Sequence, residues 1–230
     1  MRYNINNQKG IWCMSKENDD TLAVYDIAAQ IYLDNTIAHD KKRPEHALDK
    51  KKLLTENLRK AFDTLPSGAK VLEIGSADGE NAKILETFKF DVVASDVAPA
   101  FIAACKKQGL KTARINVLKD DLPTKLNGVL CWRVFVHFTT EDTELALKRI
   151  YDSLVENGRL VFNVIDNATH DCNNQWMDFE GEYKMGAKRY YAYYSKNEII
   201  SIINKTRFKI VSEWHEHGGH NDWFCFVLEK

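Results

Sequence analysis

From Lys70 onward the chain alternates short strand-like runs with amphipathic helix-like ones, and this alternation most restricts the folds open to it. Lys70 to Ile74 reads as strand, Asn81 to Phe88 as helix, Asp91 to Ser95 as strand and Ala98 to Lys107 as helix. Ala113 to Val117 and Gly128 to Trp132 supply a third and a fourth strand. A helix starting at Thr139 or Thr140 carries Leu145, Leu147, Ile150 and Leu154, with Asn157 and Gly158 as its stop. Leu160 to Ile165 is a fifth strand, apolar enough to be buried on both faces. Such a succession argues for an α/β fold around a parallel sheet.

The flanks add helices in front and two strands behind. After a polar stretch through Gly10, a helix is expected from Asp19 or Asp20 with Val24, Ile27, Ala28 and Ile31 as its apolar face. A second is expected from Pro44, faced by Leu54, Leu58, Ala61, Phe62 and Leu65 and broken at Pro66-Ser67-Gly68. Periodicity fades between Asp166 and Gly186, where polar and aromatic residues accumulate, as in a lid. Ser195 to Glu198 is a capping box that opens a helix faced by Ile199, Ile202 and Ile203. Phe208 to Trp214 and Trp223 to Leu228 close the chain around a Gly-rich turn. At 230 residues this makes one domain: a helical cap over 1–65 and a core over 66–230 with a lid insertion around 166–194.

Composition narrows the partners. A net charge of −1 gives no general pull toward nucleic acid or membrane lipid, so neither is expected as a partner. The basic run from Lys41 to Lys52 is interrupted by Glu45 and Asp49 and reads as a solvated helix face. Cysteines at 13, 105, 131, 172 and 225 form no Cys-x-x-Cys pair, which fits a reducing cytoplasm. The N-terminal residues lack the apolar run of a signal peptide. His215, His217 and His220 flank a turn without a cysteine nearby, and no metal site is expected from them.

The informative stretch is Val71-Leu72-Glu73-Ile74-Gly75-Ser76-Ala77-Asp78-Gly79-Glu80-Asn81: a strand, a turn of small residues, then a helix. Backbone can approach a ligand closely there. About 20 residues on, Asp96 ends the second strand where a carboxylate can accept from two ribose hydroxyls, so a ribose-bearing ligand is expected.

This stretch resembles the first motif of the class I S-adenosylmethionine-dependent methyltransferases, an acidic residue and an apolar one before a Gly-x-Gly-x-Gly turn. Glu73, Gly75 and Gly79 match, and Ala77 stands where the middle glycine would be. The resemblance continues through Asp96-Val97, the run from Asn116 to Pro123, the segment from Trp132 to Phe138 and the closing hairpin, roughly residues 20 to 230. It implies a Rossmann-like sheet of seven strands, mostly parallel, with helices on both faces and an antiparallel last strand. It implies S-adenosylmethionine as cofactor and S-adenosylhomocysteine as product, with contacts from Glu73, Gly75, Ser76, Ala77, Gly79, Asn81, Asp96, Val97, Asn116, Val117, Trp132 and Arg133. The Asn116 carbonyl would meet the adenine amine, where the family usually has aspartate. Tyr25 and Tyr32 match the aromatic cover that the family's N-terminal helix lays over the methionine end. A nicotinamide dinucleotide suits the turn less well: Glu73, Asp78 and Glu80 would repel a diphosphate, and position 80 lacks the glycine that fingerprint needs.

Methyl transfer needs an acceptor lone pair held in line behind the methyl carbon, and a general base is useful only for acceptors such as hydroxyls. His137, just after the fourth strand at the acceptor edge, is the first candidate base, and related small-molecule methyltransferases often have histidine there. Asp166 and His170, beyond the fifth strand, face the same edge and could orient an acceptor. Arg133 could hold an acceptor carboxylate or pair with a neighbouring acid. Trp176, Tyr183, Tyr190, Tyr191, Tyr193 and Tyr194 could line the pocket. The expected activity is methylation of nitrogen or oxygen on a small metabolite by a cytoplasmic monomer or homodimer. RNA methylation is one alternative, to be detected by salt-dependent RNA binding; a noncatalytic cofactor-binding scaffold is another.

Overall fold

The computed structural model describes residues 15–169, 174–178, 184–218 and 221–230. Its sheet is built outward from β1 (Lys70–Ile74), in which every residue after Lys70 is buried. On one side lie β2 (Asp91–Asp96) and β3 (Lys111–Arg114), on the other β4 (Leu126–Cys131) and β5 (Leu154–Asp166), all parallel. Next to β5, β10 (Asp222–Glu229) runs antiparallel, and β9 (Lys209–His217) forms the edge. The resulting order, β3-β2-β1-β4-β5-β10-β9, is the mostly parallel seven-stranded sheet that was expected, and the two-residue β8 (Tyr193–Tyr194) adds a further pairing to the end of β5. Strand order reverses between β1 and β4, so connections leave on opposite faces there and a crevice opens at the carboxyl edge.

Helices cover both faces. Leu72, Ile74, Phe162 and Val164 pack on one face with residues of α5 (Thr140–Ser153) and α6 (Lys196–Asn204). Val71, Leu130, Val161 and Val227 pack on the other with residues of α2 (Pro44–Ala61), α3 (Glu80–Thr87) and α4 (Pro99–Lys107). The Ser195 capping box and the Leu58, Ala61 and Phe62 face of α2 are formed as their sequence implies.

Several boundaries differ from the sequence expectation, each for a local reason. The first helix, α1 (Lys16–Lys42), begins at Ser15 rather than Asp19 or Asp20, because the Ser15 hydroxyl caps Asn18 N–H. Its apolar face is also different: Ile27 is 86 % and Ile31 48 % exposed, while Ala28, Ala29 and Leu33 are buried. Ala29 and Leu33 face inward where α1 packs over Ala98, in the loop after β2, and Phe101 of α4. Strand β3 ends at Arg114, since Asn116 Oδ1 accepts from Leu118 N–H and turns the chain. Asn157 and Gly158 do not stop a helix; α5 ends at Ser153, and these two residues lie inside β5, bonded to Lys230. Within the segment expected as a lid, β6 (Gln175–Met177) pairs antiparallel with β7 (Arg189–Tyr191).

Candidate active site

The turn after β1 is set by backbone requirements. Gly75, Ala77 and Gly79 all have positive φ, at 75°, 45° and 87°. A Cβ on Gly75 would stand 2.4 Å from Val134 Cγ2, and one on Gly79 would stand 2.6 Å from Leu110 Cδ1. Ala77 takes the left-handed conformation despite its Cβ, at a cost of about 1–2 kcal/mol. Its N–H donates to Asp96 Oδ2 at 3.1 Å, which helps hold the strained residue. Val97 and Ala98 N–H donate to the other oxygen at 2.7 and 3.1 Å. Asp96 thus ties the turn after β1 to the loop after β2, and Gly75 and Ser76 N–H complete the tie by donating to Ser95 O.

Glu73 is fully buried, and neither carboxylate oxygen has a hydrogen-bond partner. Burial pushes its pKa up to about 7; the Asn81 and Ser76 side chains, close to hydrogen-bonding reach, oppose this, while the charges of Asp78 and Asp96 add to it. An unsatisfied buried carboxylate costs free energy that a bound cation would recover. S-adenosylmethionine brings an ammonium and a ribose diol, so an orphaned carboxylate beside a second one at the end of β2 fits that molecule. Asn81 is half-buried beside Glu73. The Asn116 carbonyl accepts Leu118 N–H and so is fixed at the turn after β3. Val117 is buried in the core beneath it.

Tyr25 and Tyr32 both pack edgewise or tilted on Phe101, with ring centroids 5.9 and 5.7 Å apart, so the two candidate cover residues stand together over α4. Trp132 and Arg133 face the other way. Trp132 stacks on Trp214 of β9, and the Arg133 guanidinium lies over the Trp223 ring and 4.0 Å from Glu216. Pairing with a neighbouring acid is one of the two side-chain roles expected of Arg133, and its backbone turns at a positive φ of 61° where its N–H donates to Asn163 Oδ1.

At the acceptor edge His137 is buried with both nitrogens engaged. Nδ1–H donates to Tyr190 O at 2.7 Å, which leaves Nε2 to accept the Tyr25 hydroxyl at 2.9 Å. Burial, with Arg189 nearby, takes its pKa down to about 3. Asp166 accepts Ala168 N–H on one oxygen and faces His215 Nε2 at 2.9 Å on the other. His170 and Tyr183 lie outside the described residues. Of the lid aromatics, Tyr190, Tyr191, Tyr193 and Tyr194 are buried, whereas Trp176 is 38 % exposed.

Sequence reasoning passed over Arg189. Its side chain is buried, donates to the Tyr25 hydroxyl at 3.1 Å and lies over the Tyr25 and Tyr191 rings. The available signal was a cation set directly against a tyrosine pair in an aromatic run. Also unforeseen was the fastening of α1 across the carboxyl edge. Asn18 donates to His137 O at 3.3 Å, Tyr190 N–H donates to the Thr21 hydroxyl at 2.9 Å, and Asn35 donates to Lys184 O at 3.0 Å.

Comparison with known proteins shows the family and the fold. Residues 45–213 match a family model described as a methyltransferase domain; the chain belongs to that family and is a class I methyltransferase dependent on S-adenosylmethionine. No curated protein matches the sequence. Its fold is similar to magnesium protoporphyrin IX methyltransferase from Synechocystis PCC 6803, solved with S-adenosylmethionine, at 12 % identity and a TM-score of 0.68 over 94 % of this chain and 98 % of that one. It is also similar to the Burkholderia thailandensis 1,6-didemethyltoxoflavin-N1-methyltransferase, at 17 % identity and a TM-score of 0.63 over 98 % and 93 % of the two chains. A third likeness is to an S-adenosylmethionine-dependent methyltransferase from Clostridium acetobutylicum, with 14 % identity and a TM-score of 0.64 over 85 % and 98 %. Among the described residues no helix is long and apolar enough to cross a membrane.

Proposed function

We propose that this enzyme methylates a small molecule, most readily at a neutral amine nitrogen, in a pocket between α1 and the β6–β7 hairpin. The observation that carries this reading is the course of α1, which is bonded to His137, Tyr190 and Lys184 and so roofs the carboxyl edge. A roofed edge suits an acceptor that can be enclosed; a polymer would need an open groove. Two of the fold relatives named above are, by their names, methyltransferases of a porphyrin and of a toxoflavin precursor, which is consistent with it.

When bound, S-adenosylmethionine supplies an electrophilic methyl on a sulfonium. The Glu73 carboxylate would take the ammonium, Asp96 the ribose hydroxyls and Asn116 the adenine amine, with Tyr25 and Tyr32 covering the methionine end. Holding the acceptor in line is worth about 7–11 kcal/mol. His137 contributes as a neutral acceptor that fixes the Tyr25 hydroxyl. Protonating it at neutral pH would cost about 5 kcal/mol from its pKa of about 3. That is no less than the roughly 3–5 kcal/mol a general base supplies, so an acceptor that needs no base fits better. Arg189 orients Tyr25 from the other side and keeps the roof polar on its inner face.

Incubation with methyl-labelled cofactor and fractionated cell extract tests the proposal. Label should appear in the low-mass fraction. Label in RNA would replace it with the polymer reading, and calorimetric cofactor binding without transfer to any fraction would replace it with the noncatalytic one.

A further inference from the structure

The sequence shows histidines near the last turn without a cysteine to join them, but the fold brings carboxylates to the same place. His215 and His217 are two residues apart on β9 and so share a face, and Asp222 of β10 stands directly opposite His217. One ligand atom from each of His215, His217 and Asp222 lies within 4.8 Å of the others. His217 Nδ1 is 3.1 Å from Asp222 Oδ2, and the two imidazole rings are 4.9 Å apart and nearly perpendicular. Asp166, at the end of β5 and largely buried, holds His215 through Nε2 at 2.9 Å.

We propose that His215, His217 and Asp222 bind a divalent transition-metal ion of the zinc class, with Asp166 fixing the His215 ring. Two neutral imidazoles and one carboxylate are the donor set such ions prefer, at about 2.0–2.2 Å each. The donors already lie within 4.8 Å of one another, and the His217 side chain is 81 % exposed, with room to turn. A carboxylate behind a metal-binding histidine is the usual device for fixing its tautomer. Charge agrees: Asp222 and Asp166 together balance a divalent ion, and the neighbouring Lys196 is occupied by Glu213. Three protein ligands leave a coordination position for water or for a donor atom of a bound molecule. The site shares the carboxyl edge of the sheet with the acceptor pocket but does not depend on what that pocket methylates.

The experiment is a metal titration of tag-free protein previously stripped with chelator. Cobalt(II) should give the visible bands of a low-coordinate nitrogen and oxygen site, saturating at one ion per chain, and zinc should displace it in competition with a chromophoric chelator. H217A and D222N should abolish saturable binding, and D166N should weaken it roughly 10–100-fold. H39A, which removes a histidine paired with Asp40 on α1, should bind as wild type. Because His217 is exposed, circular dichroism should show H217A folded. Absence of stoichiometric binding to wild type, or equal binding by folded H217A and wild type, overturns the assignment.

Discussion

The cofactor side and the acceptor side of this site are held together by different bonds. Around the turn after β1, the ties are backbone amides meeting one carboxylate and one carbonyl: Ala77, Val97 and Ala98 onto Asp96, and Gly75 and Ser76 onto Ser95. Over the acceptor edge they run through side chains far apart in sequence: Tyr25 with His137, Arg189 with Tyr25, and Thr21 with Tyr190 N–H. Backbone ties bind a part common to every turnover and need only small residues and one acid. Side-chain ties can be exchanged without disturbing the sheet, so selectivity for the acceptor can change while the cofactor seat stays as it is.

The largest effect expected from that contrast is at Asp96. D96A leaves three amides without their partner and, with Asp96 as the proposed ribose seat, removes an acceptor for two hydroxyls, about 1.5–3 kcal/mol each. Cofactor affinity by calorimetry should fall at least about 100-fold. Affinity within a few-fold of wild type would mean that the ribose is held elsewhere.

Next comes Arg189. R189M removes the donor to Tyr25 and two ring contacts while keeping most of the apolar bulk. Acceptor kcat/KM should drop roughly 10–30-fold, from about 0.5–2 kcal/mol per desolvated contact. The cofactor dissociation constant should move less than that, since Arg189 reaches the cofactor only through the Tyr25 cover. A parallel loss of cofactor affinity would erase the division between the two halves.

The same division explains what could be read from the sequence. Glu73, Gly75, Gly79 and Asp96 were legible because strand, turn and strand end follow one another within a short span, and a local pattern suffices to place them. The inward face of α1 was not. Ile27 and Ile31 sit at helical spacing and look like a core stripe, yet they face outward, because the face of α1 that meets Ala98 and Phe101 is the one carrying Tyr25, Ala29, Tyr32 and Leu33. His215 meets Asp166 across 49 residues, and Arg189 meets Tyr25 across 164, distances over which residue type alone offers no register. Arg133 was seen, but its direction depends on a left-handed backbone that no local pattern announces.

A smaller effect sharpens the cofactor side. With its pKa raised to about 7, Glu73 is mostly protonated at pH 6 and mostly ionised at pH 8, and only the ionised form attracts an ammonium. Wild-type affinity should therefore rise about tenfold between those pH values. The sign is opposite for the free protein: burying an ionised Glu73 costs stability that is fully present as a loss above pH 7 and disappears toward the ordinary glutamate range, about 3 kcal/mol in all. E73Q should remove the protein's share of both dependences. If its affinity profile from pH 6 to 8 matches wild type, the ammonium is held by another group.

The smallest effect separates the two roles open to His137. As a base it would contribute about 10²–10⁴-fold, and its loss would flatten the pH dependence of kcat. As a neutral anchor it contributes only the position of Tyr25, since Nδ1–H is committed to Tyr190 O and a pKa of about 3 leaves the ring uncharged throughout the working range. H137A should then lower kcat less than about tenfold, the worth of one net hydrogen bond. The kcat profile between pH 6 and 8 should keep its shape, because no group titrating there has been removed. Circular dichroism would confirm that the cavity left beneath α1 is tolerated. A loss beyond about 100-fold with a flattened profile would restore the histidine as base and move the acceptor from amine toward hydroxyl.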